Sequence, residues 1–464
     1  MPSNKALVAA LLLSGCSLAP DYHRPAIGVA STYMEVPTGW TTAAPAAEAP
    51  PAAWWESFGD PLLTALEVRI EGANPSLAAA VARYDEAVGA LHEARADLYP
   101  QIDANGSALR TRVPANRPLA VTGSTTYNEY QVGPSLSWEI DLFGRVRNTI
   151  RANRAQAVAS AADVAGMRLA LQASLATAYF QMRGLDAREG LLAQTVAAYQ
   201  RAYDLTVTRH DGGIGTGLDV SRARTQLATA RAEISEVRQQ RAAYEHAIAA
   251  LVGEPASSFS VAPDAHQPDA PSFPSGTPST LLQRRPDIDA AERRVFAANA
   301  QIGVARAALY PTLSLAGNAG GETTGPNILS AASGFWALGP ASLALNLFDG
   351  GARRARVRIA RAQFDEAAAN YKQTVLTAFR EVEDDLALGR DLVQETKDQH
   401  DAATSADKTL DLALIRYRDG ASDYLDVVTA QTAALDAERA LLDLRTRQLT
   451  TAVDSVRALG GVAG

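Results

Sequence analysis

Two stretches of this chain, 143–212 and 351–420, contain no proline and abundant alanine. Each is about 68 residues, which as a helix would extend roughly 100 Å at 1.5 Å per residue. A helix that long must pack along neighbours of similar length, as in coiled coils and bundles. The two stretches also occupy equivalent places in an internal duplication. Residues 75–100 align without gaps on 286–311, most clearly where Ala94-Arg95-Ala96-x-Leu98-Tyr99-Pro100 meets Ala305-Arg306-Ala307-x-Leu309-Tyr310-Pro311. Leu142-Phe143 then matches Leu347-Phe348, and Arg154-Ala155-Gln156 matches Arg361-Ala362-Gln363. Arg209 pairs with Arg416, Gly213 with Gly420, and Leu218-Asp219-Val220 with Leu425-Asp426-Val427. A period this long is a duplicated half-molecule and not a solenoid repeat. The expected division is 61–252 for the first copy, 253–280 for a connector rich in proline, and 281–464 for the second copy.

Each half reads as helix, strand, strand, very long helix, turn, helix. In the first half Ile102, Ala104, Gly106 and Ala108 alternate with polar neighbours. Tyr130, Val132, Pro134, Leu136, Trp138, Ile140 and Leu142 form one face of the next strand, opposite Glu129, Gln131, Ser135, Ser137, Glu139 and Asp141. In the second half Leu313 and Leu315 alternate with Thr312 and Ser314, and Ala341, Leu343, Leu345 and Leu347 with Ser342, Ala344 and Asn346. Period two with one apolar and one polar face is the signature of a strand. Strands of this kind line a transmembrane β-barrel or form a half-buried sheet in a soluble domain. A barrel needs at least about 8 strands, so four per chain imply that several chains share one. Trp138 and Trp336 near the strands, together with the amino terminus, favour the shared barrel.

That terminus carries Lys5, an apolar run at 6–13, then Ser14-Gly15-Cys16. The run is too short to span a bilayer as a helix but fits the core of a secretory signal peptide over residues 1–15. Leu13-Ser14-Gly15-Cys16 resembles a bacterial lipobox, which makes Cys16 the lipidated first residue of the mature chain. Ser17 after it implies outer-membrane sorting by the same resemblance. Several acyl chains anchor firmly where one anchors weakly. Residues 16–60 are expected to form a lipidated, extended leader.

Composition removes other classes. Lys+Arg 43 against Asp+Glu 51 gives a net charge of −8, unsuited to gripping nucleic-acid phosphates. One cysteine excludes an intrachain disulfide framework, and the histidines offer no pair at metal-ligand spacing on a helix. The Gly212–Gly217 run lacks both the preceding strand and the Gly-Lys-Ser/Thr of a phosphate loop. Glu245 and His246 are adjacent, so on a helix they face different ways. No catalytic constellation and no cofactor site emerges, and the chain is not expected to be an enzyme.

The ordered motifs resemble the outer membrane factor family, the TolC-like and OprM-like ducts of efflux pumps, and especially its NodT-type lipoproteins. They are Pro20-Asp21-Tyr22-x-Arg24-Pro25, Trp54-Trp55-x-x-Phe58-x-Asp60-Pro61-x-Leu63, Asp141-Leu142-Phe143-Gly144-Arg145 and Arg284-Arg285-Pro286-Asp287-Ile288. Leu347-Phe348-Asp349-Gly350-Gly351 and Arg416-Tyr417-x-x-Gly420 follow in the second half. The resemblance implies an α+β membrane protein, a long antiparallel α-helical barrel continued by a transmembrane β-barrel of about 12 strands shared by a homotrimer. It implies a lipid-anchored protein of the cell outer membrane extending into the periplasm, conducting small molecules passively. Its partners would be a periplasmic adaptor (membrane fusion) protein, an inner-membrane transporter of the resistance-nodulation-division type, and outer-membrane lipid. A type I secretion duct shares this architecture, and a periplasm-spanning structural lipoprotein remains the reading from another class.

The turns at 209–218 and 416–425 lie at the far ends of the long helices. Their glycines serve as ordinary C-caps, and Thr216, Ser422 or Asp423 as caps of the next helix. The resemblance places the constriction of the duct at Asp219, Tyr417 and Leu425, with Arg416 in reach. Three copies would make an apolar ring of Leu425 and a carboxylate ring of Asp219, gating by dewetting and favouring cations. Thr429 stands where related ducts often carry Asp, which puts a second charged ring in doubt. Gly213, Leu218, Gly420 and Asp423 are the expected adaptor contacts. A further cluster, Arg145, Arg147, Arg151 and Arg154 with Arg353, Arg354, Arg356, Arg358 and Arg361, stands at helix starts, where the dipole opposes cations. Lipid headgroups, the carboxylates of Glu139 or Asp141, or simple solvation would account for it.

Overall fold

The computed structural model describes residues 17–28, 30, 32–35, 53–115, 124–271, 284–325 and 333–461. The expected signal peptide and Cys16 lie outside the described residues, as do part of the expected leader and residues 272–280 of the connector. A 3-10 turn, Trp54–Phe58, leads into α1 (Pro61–Ala73) and α2 (Pro75–Ala96). Strands β1 (Gln101–Val113) and β2 (Thr125–Ile140) precede α3 (Arg145–Asp211) and α4 (Gly217–Leu251). The second half repeats the order with α5 (Pro286–Ala307), β3 (Thr312–Thr323), β4 (Ser333–Ala344), α6 (Ala352–Arg418) and α7 (Tyr424–Ala458). The duplication holds to the residue in helix length: α2 and α5 both have 22 residues, α3 and α6 both 67, α4 and α7 both 35.

Helix starts follow from local chemistry. Asp60 accepts from the amides of Leu62 and Leu63 at 2.9 and 3.0 Å, and Asn74 from Ser76 and Leu77 at 2.8 and 3.0 Å. Each precedes a proline at the first helical position, where a missing N–H costs nothing. The long helices have no proline to stop them, so they run until Gly213 and Gly420 take the left-handed conformation, each at φ +75°.

Two compact units emerge, each drawing on both halves of the sequence: 1–26, 83–161 and 290–372 form one, and 27–82, 162–289 and 373–464 the other. The first holds an antiparallel sheet in the order β1-β2-β3-β4. Gln101 pairs with Ser137, Ile140 with Leu313, and Thr312 with Ala344. The fourth strand differs from the alternation expected over 341–347. It begins at Ser333 and ends at Ala344. Beyond it the Asn346 carboxamide takes the Phe348 amide at 3.1 Å and Asp349 takes the Gly351 amide at 2.9 Å, bending the chain out of the ladder.

The second unit holds the largest apolar core. Trp54, Phe58, Leu63, Ile70, Leu175, Tyr179, Phe180, Met182, Ile248 and Val453 are all buried there. Its aromatic entry explains why the end of the leader is not extended: burying Trp54, Trp55 and Phe58 winds 54–58 into a helical turn. The described part of the connector has no regular element and is pinned to the helices. Arg183 donates to the Ala262 carbonyl at 2.9 Å and Arg241 to the Val261 carbonyl at 2.6 Å. No helix among the described residues is long and apolar enough to cross a membrane.

Candidate functional site

The two helix turns of the second unit share one construction. Arg209 accepts the Ile214 amide through its carbonyl at 2.9 Å, and Arg416 accepts the Ala421 amide at 2.8 Å. The amides of Gly213 and Gly420 close the inner rings on His210 and Tyr417. This is the paired carbonyl capping that a left-handed glycine permits at a helix end. Beneath the turns, all four helices contribute to a small core of Ala202, Ala223, Tyr417, Tyr424 and Val427. Tyr417 and Tyr424 meet edge to face with centroids 5.2 Å apart.

A single side chain ties the two turns together. Arg209, on the last turn of α3, donates to the Tyr417 carbonyl at 2.9 Å and to the Arg418 carbonyl at 3.3 Å. Its guanidinium also lies over the Tyr417 ring, 4.7 Å from the centroid. It therefore adds a second donor to the Tyr417 carbonyl and one to the Arg418 carbonyl, and puts a cation against the negative pole of that helix. The sequence pairs Arg209 with Arg416, which marks it as part of the plan. Backbone carbonyls leave no sequence pattern, so the clasp itself was not foreseeable.

The expected gate residues divide into two groups. Tyr417 is 4% exposed, sandwiched within its own chain, and burial raises its phenol above the usual range, helped by the nearby Asp219 carboxylate and opposed by Arg209. Leu425 is half exposed, and Arg416 and Thr429 are exposed. The Thr429 hydroxyl donates to the Leu425 carbonyl at 2.9 Å, one turn back. Asp219 is engaged locally: its carboxylate accepts the Thr216 hydroxyl at 2.7 Å and lies 3.8 Å from Arg222. The Asp219 amide donates to the Thr216 hydroxyl at 3.2 Å and the Thr216 amide donates back to the Asp219 carboxylate at 3.4 Å, a capping box at the start of α4. Of the expected adaptor contacts, Gly213 and Gly420 form the left-handed corners, Leu218 is exposed, and Asp423 caps α7 without a side-chain hydrogen bond.

The arginine cluster at the strand-to-helix junctions is partly consumed by carboxylates. Arg145 grips Glu139 with two bonds of 2.8 and 2.7 Å, Arg147 reaches Asp141 at 3.1 Å, and Arg353 reaches Asp349 at 2.7 Å. These pairs stitch each helix start to the strand end or loop before it, offsetting the unfavourable helix-dipole term. Deeper in the helical unit, Asp186 is held between Arg183 at 3.0 Å and Arg241 at 2.6 Å. No cluster of three metal-ligating side chains occurs among the described residues.

Comparison with known proteins places this architecture. The family described as outer membrane efflux protein matches residues 68–254 and 277–461. Outer membrane protein OprJ of Pseudomonas aeruginosa is 36% identical over 467 residues, covering 98% of this chain and 95% of OprJ. The probable efflux pump outer membrane protein TtgC of Pseudomonas putida is 34% identical over 459 residues, covering 98% of this chain and 94% of TtgC. The open-state crystal structure of the Neisseria gonorrhoeae MtrE outer membrane channel matches with a TM-score of 0.84 at 27% identity, covering 96% of this chain and 98% of MtrE. The chain thus belongs to the outer membrane efflux protein family, a family of transport components and not of enzymes, and it is an outer-membrane efflux channel.

Proposed function

We propose that the chain assembles as a homotrimer whose three sheets close one barrel in the outer membrane. The trimer is a passive exit duct for small molecules, fed by an inner-membrane transporter of the resistance-nodulation-division type through a periplasmic adaptor. The observation that carries this reading is the bareness of the sheet. Among the described residues β1 and β4 each leave one edge unpaired, and β1 is exposed along nearly its whole length. Trp336, Leu338 and Leu343 of β4 are 81%, 71% and 67% exposed. In water such edges and apolar side chains invite aggregation. Closure with neighbouring copies removes the edges, and lipid covers the apolar face.

Cys16 is the site of acylation and tethers the trimer to the outer membrane. The turns of the helical unit form its gate. Leu425 presents the apolar constriction, Asp219 a carboxylate ring, and Arg416 and Thr429 the polar margin, while Tyr417 supports them from within the chain. The adaptor meets the corners at Gly213, Leu218, Gly420 and Asp423 and opens the tip by contacting the open state better. MtrE has been solved in an open state. Single-channel recording in planar bilayers tests this, comparing the wild type with an Asp219→Ala/Tyr417→Phe double variant. A small, cation-preferring conductance that rises in the variant is expected. Unchanged conductance removes the gate assignment, and no conductance from folded, inserted protein removes the duct.

A further inference from the structure

The described start of the chain is not a free tether. Residues 17–24 lie in a seat built by helices from both halves. The Ser17 hydroxyl donates to the Asn148 carboxamide oxygen at 3.0 Å and accepts from Arg151 at 3.2 Å, both on α3. Arg306 of α5 donates to the Leu18 carbonyl at 3.2 Å, and Asn299 one helical stretch earlier donates to the Pro20 carbonyl at 2.9 Å. The Tyr22 ring then meets Phe296 edge to face at 5.1 Å, and its hydroxyl donates to Glu292 at 3.1 Å. Arg24 closes the series, pairing with Glu292 at 3.3 Å and lying over the Tyr371 ring of α6. Partners on α5 fall in the order 306, 299, 296, 292 as the segment runs from 18 to 24, so it descends antiparallel to that helix.

The seat is shaped for this segment. Gly303 faces it, and a Cβ there would stand 2.8 Å from the Ala19 Cβ, 2.9 Å from its amide nitrogen and 2.6 Å from the Asn148 carboxamide nitrogen. Any side chain at 303 would therefore expel either the segment or Asn148. The elements joined are α3, which follows the first pair of strands, α5, which precedes the second pair, and α6, which follows it. β2 and β3 are neighbours in the sheet, so the segment bridges the helices on either side of the central strand pair.

We propose that Ser17–Arg24 is an intramolecular staple that joins the two halves of the sheet-bearing unit, and that insertion of the sheet into the outer membrane requires it seated. Asn148, Arg151, Asn299, Gly303 and Arg306 are its positioning residues. Covalent attachment at Cys16 is not needed for this role, since every bond named lies beyond it. Seating fixes Ser17 beside α3.

The test uses the full-length protein with Gly303→Val, which blocks the seat, and separately Asn299→Ala/Arg306→Ala, which removes two bonds without adding bulk. Release of the staple is read by chymotrypsin cleavage after Tyr22, followed by mass spectrometry of the freed peptide. Insertion is read as the heat-modifiable fraction in purified outer membranes. Both variants are expected to cleave roughly tenfold faster or more, as an opening equilibrium does when it loses a hydrogen bond or two. Both are also expected to lower the inserted fraction, in a Cys16→Ser background as well as in the native one. Unchanged cleavage would show that the seat does not hold the segment. Faster cleavage with undiminished insertion would remove the assembly role. Loss of insertion by Cys16→Ser alone, with no further effect of the seat variants, would also overturn the proposal and leave only the anchor.

Discussion

Glu67 shows what an unpaired buried carboxyl costs this fold. Its side chain is 0% exposed, on the same face of α1 as Leu63, Leu66 and Ile70, and neither carboxyl oxygen has a hydrogen-bond partner among the described residues. Burial pushes the carboxyl up from 4.5 to about 9. The folded chain therefore takes up a proton that the unfolded chain lacks, throughout the interval between those two values. Stability must fall as pH rises across it, by about 1.4 kcal/mol per pH unit, and be unaffected below it. From the unfolded value to pH 7 the cost is about 3 kcal/mol. Glu67→Gln keeps the shape and the burial of one polar group but removes the proton. The variant should match the wild type near pH 4.5 and exceed it by about 3 kcal/mol at pH 7, with a wider gap at pH 8. Guanidinium unfolding followed by helical circular dichroism at these pH values measures the difference as a shift in midpoint at constant slope. Wild-type and variant midpoints that stay parallel from pH 5 to 8 would refute the argument, because they would mean that Glu67 finds a partner or water on folding.

Three further outcomes follow from other charged side chains. Asp186→Ala leaves the guanidiniums of Arg183 and Arg241 facing each other without their shared anion, and should cost about 3–5 kcal/mol in the same unfolding assay. A loss under about 1 kcal/mol would show that the network is solvated and not structural. Asp385, raised to about 7 by burial and by the neighbouring Asp454 carboxylate, makes stability fall as pH rises from 3.8 towards that value. Asp385→Asn should flatten that part of the pH profile, and an unaltered slope there would count against it. Arg209→Met keeps the aliphatic stem but removes both carbonyl bonds at the tip. Amide exchange at 416–421 should then quicken roughly tenfold by mass spectrometry, while an unchanged rate would mean that the carbonyl capping holds without the clasp.

How far the sequence could be read depends on what each feature leaves in it. Helix length was legible because proline and glycine mark it directly: the proline-free stretches became α3 and α6, each ending two residues before Gly213 and Gly420. The sheet was legible where alternation was clean, as in β2, and misplaced in β4, where Leu345 and Leu347 continue the pattern after Asn346 and Asp349 have taken the backbone away. The aromatic turn at 54–58 was missed because burial, and not local propensity, winds it.

The tip shows a deeper limit. Duplication suggests that its two turns are alike, and their backbones are. Their fastenings are not: Thr216 and Asp219 lock the first turn with a reciprocal capping box, whereas the equivalent Asp423 makes no side-chain bond in the second. Arg209 reaches from the first turn to the carbonyls of the second, and Arg416 makes no matching reach among the described residues. The turn with fewer bonds of its own is thus the one held from across the tip. Two copies of one plan have diverged into a fixed hairpin and a clasped one, a difference carried by a few side chains and invisible to any comparison of their helix lengths.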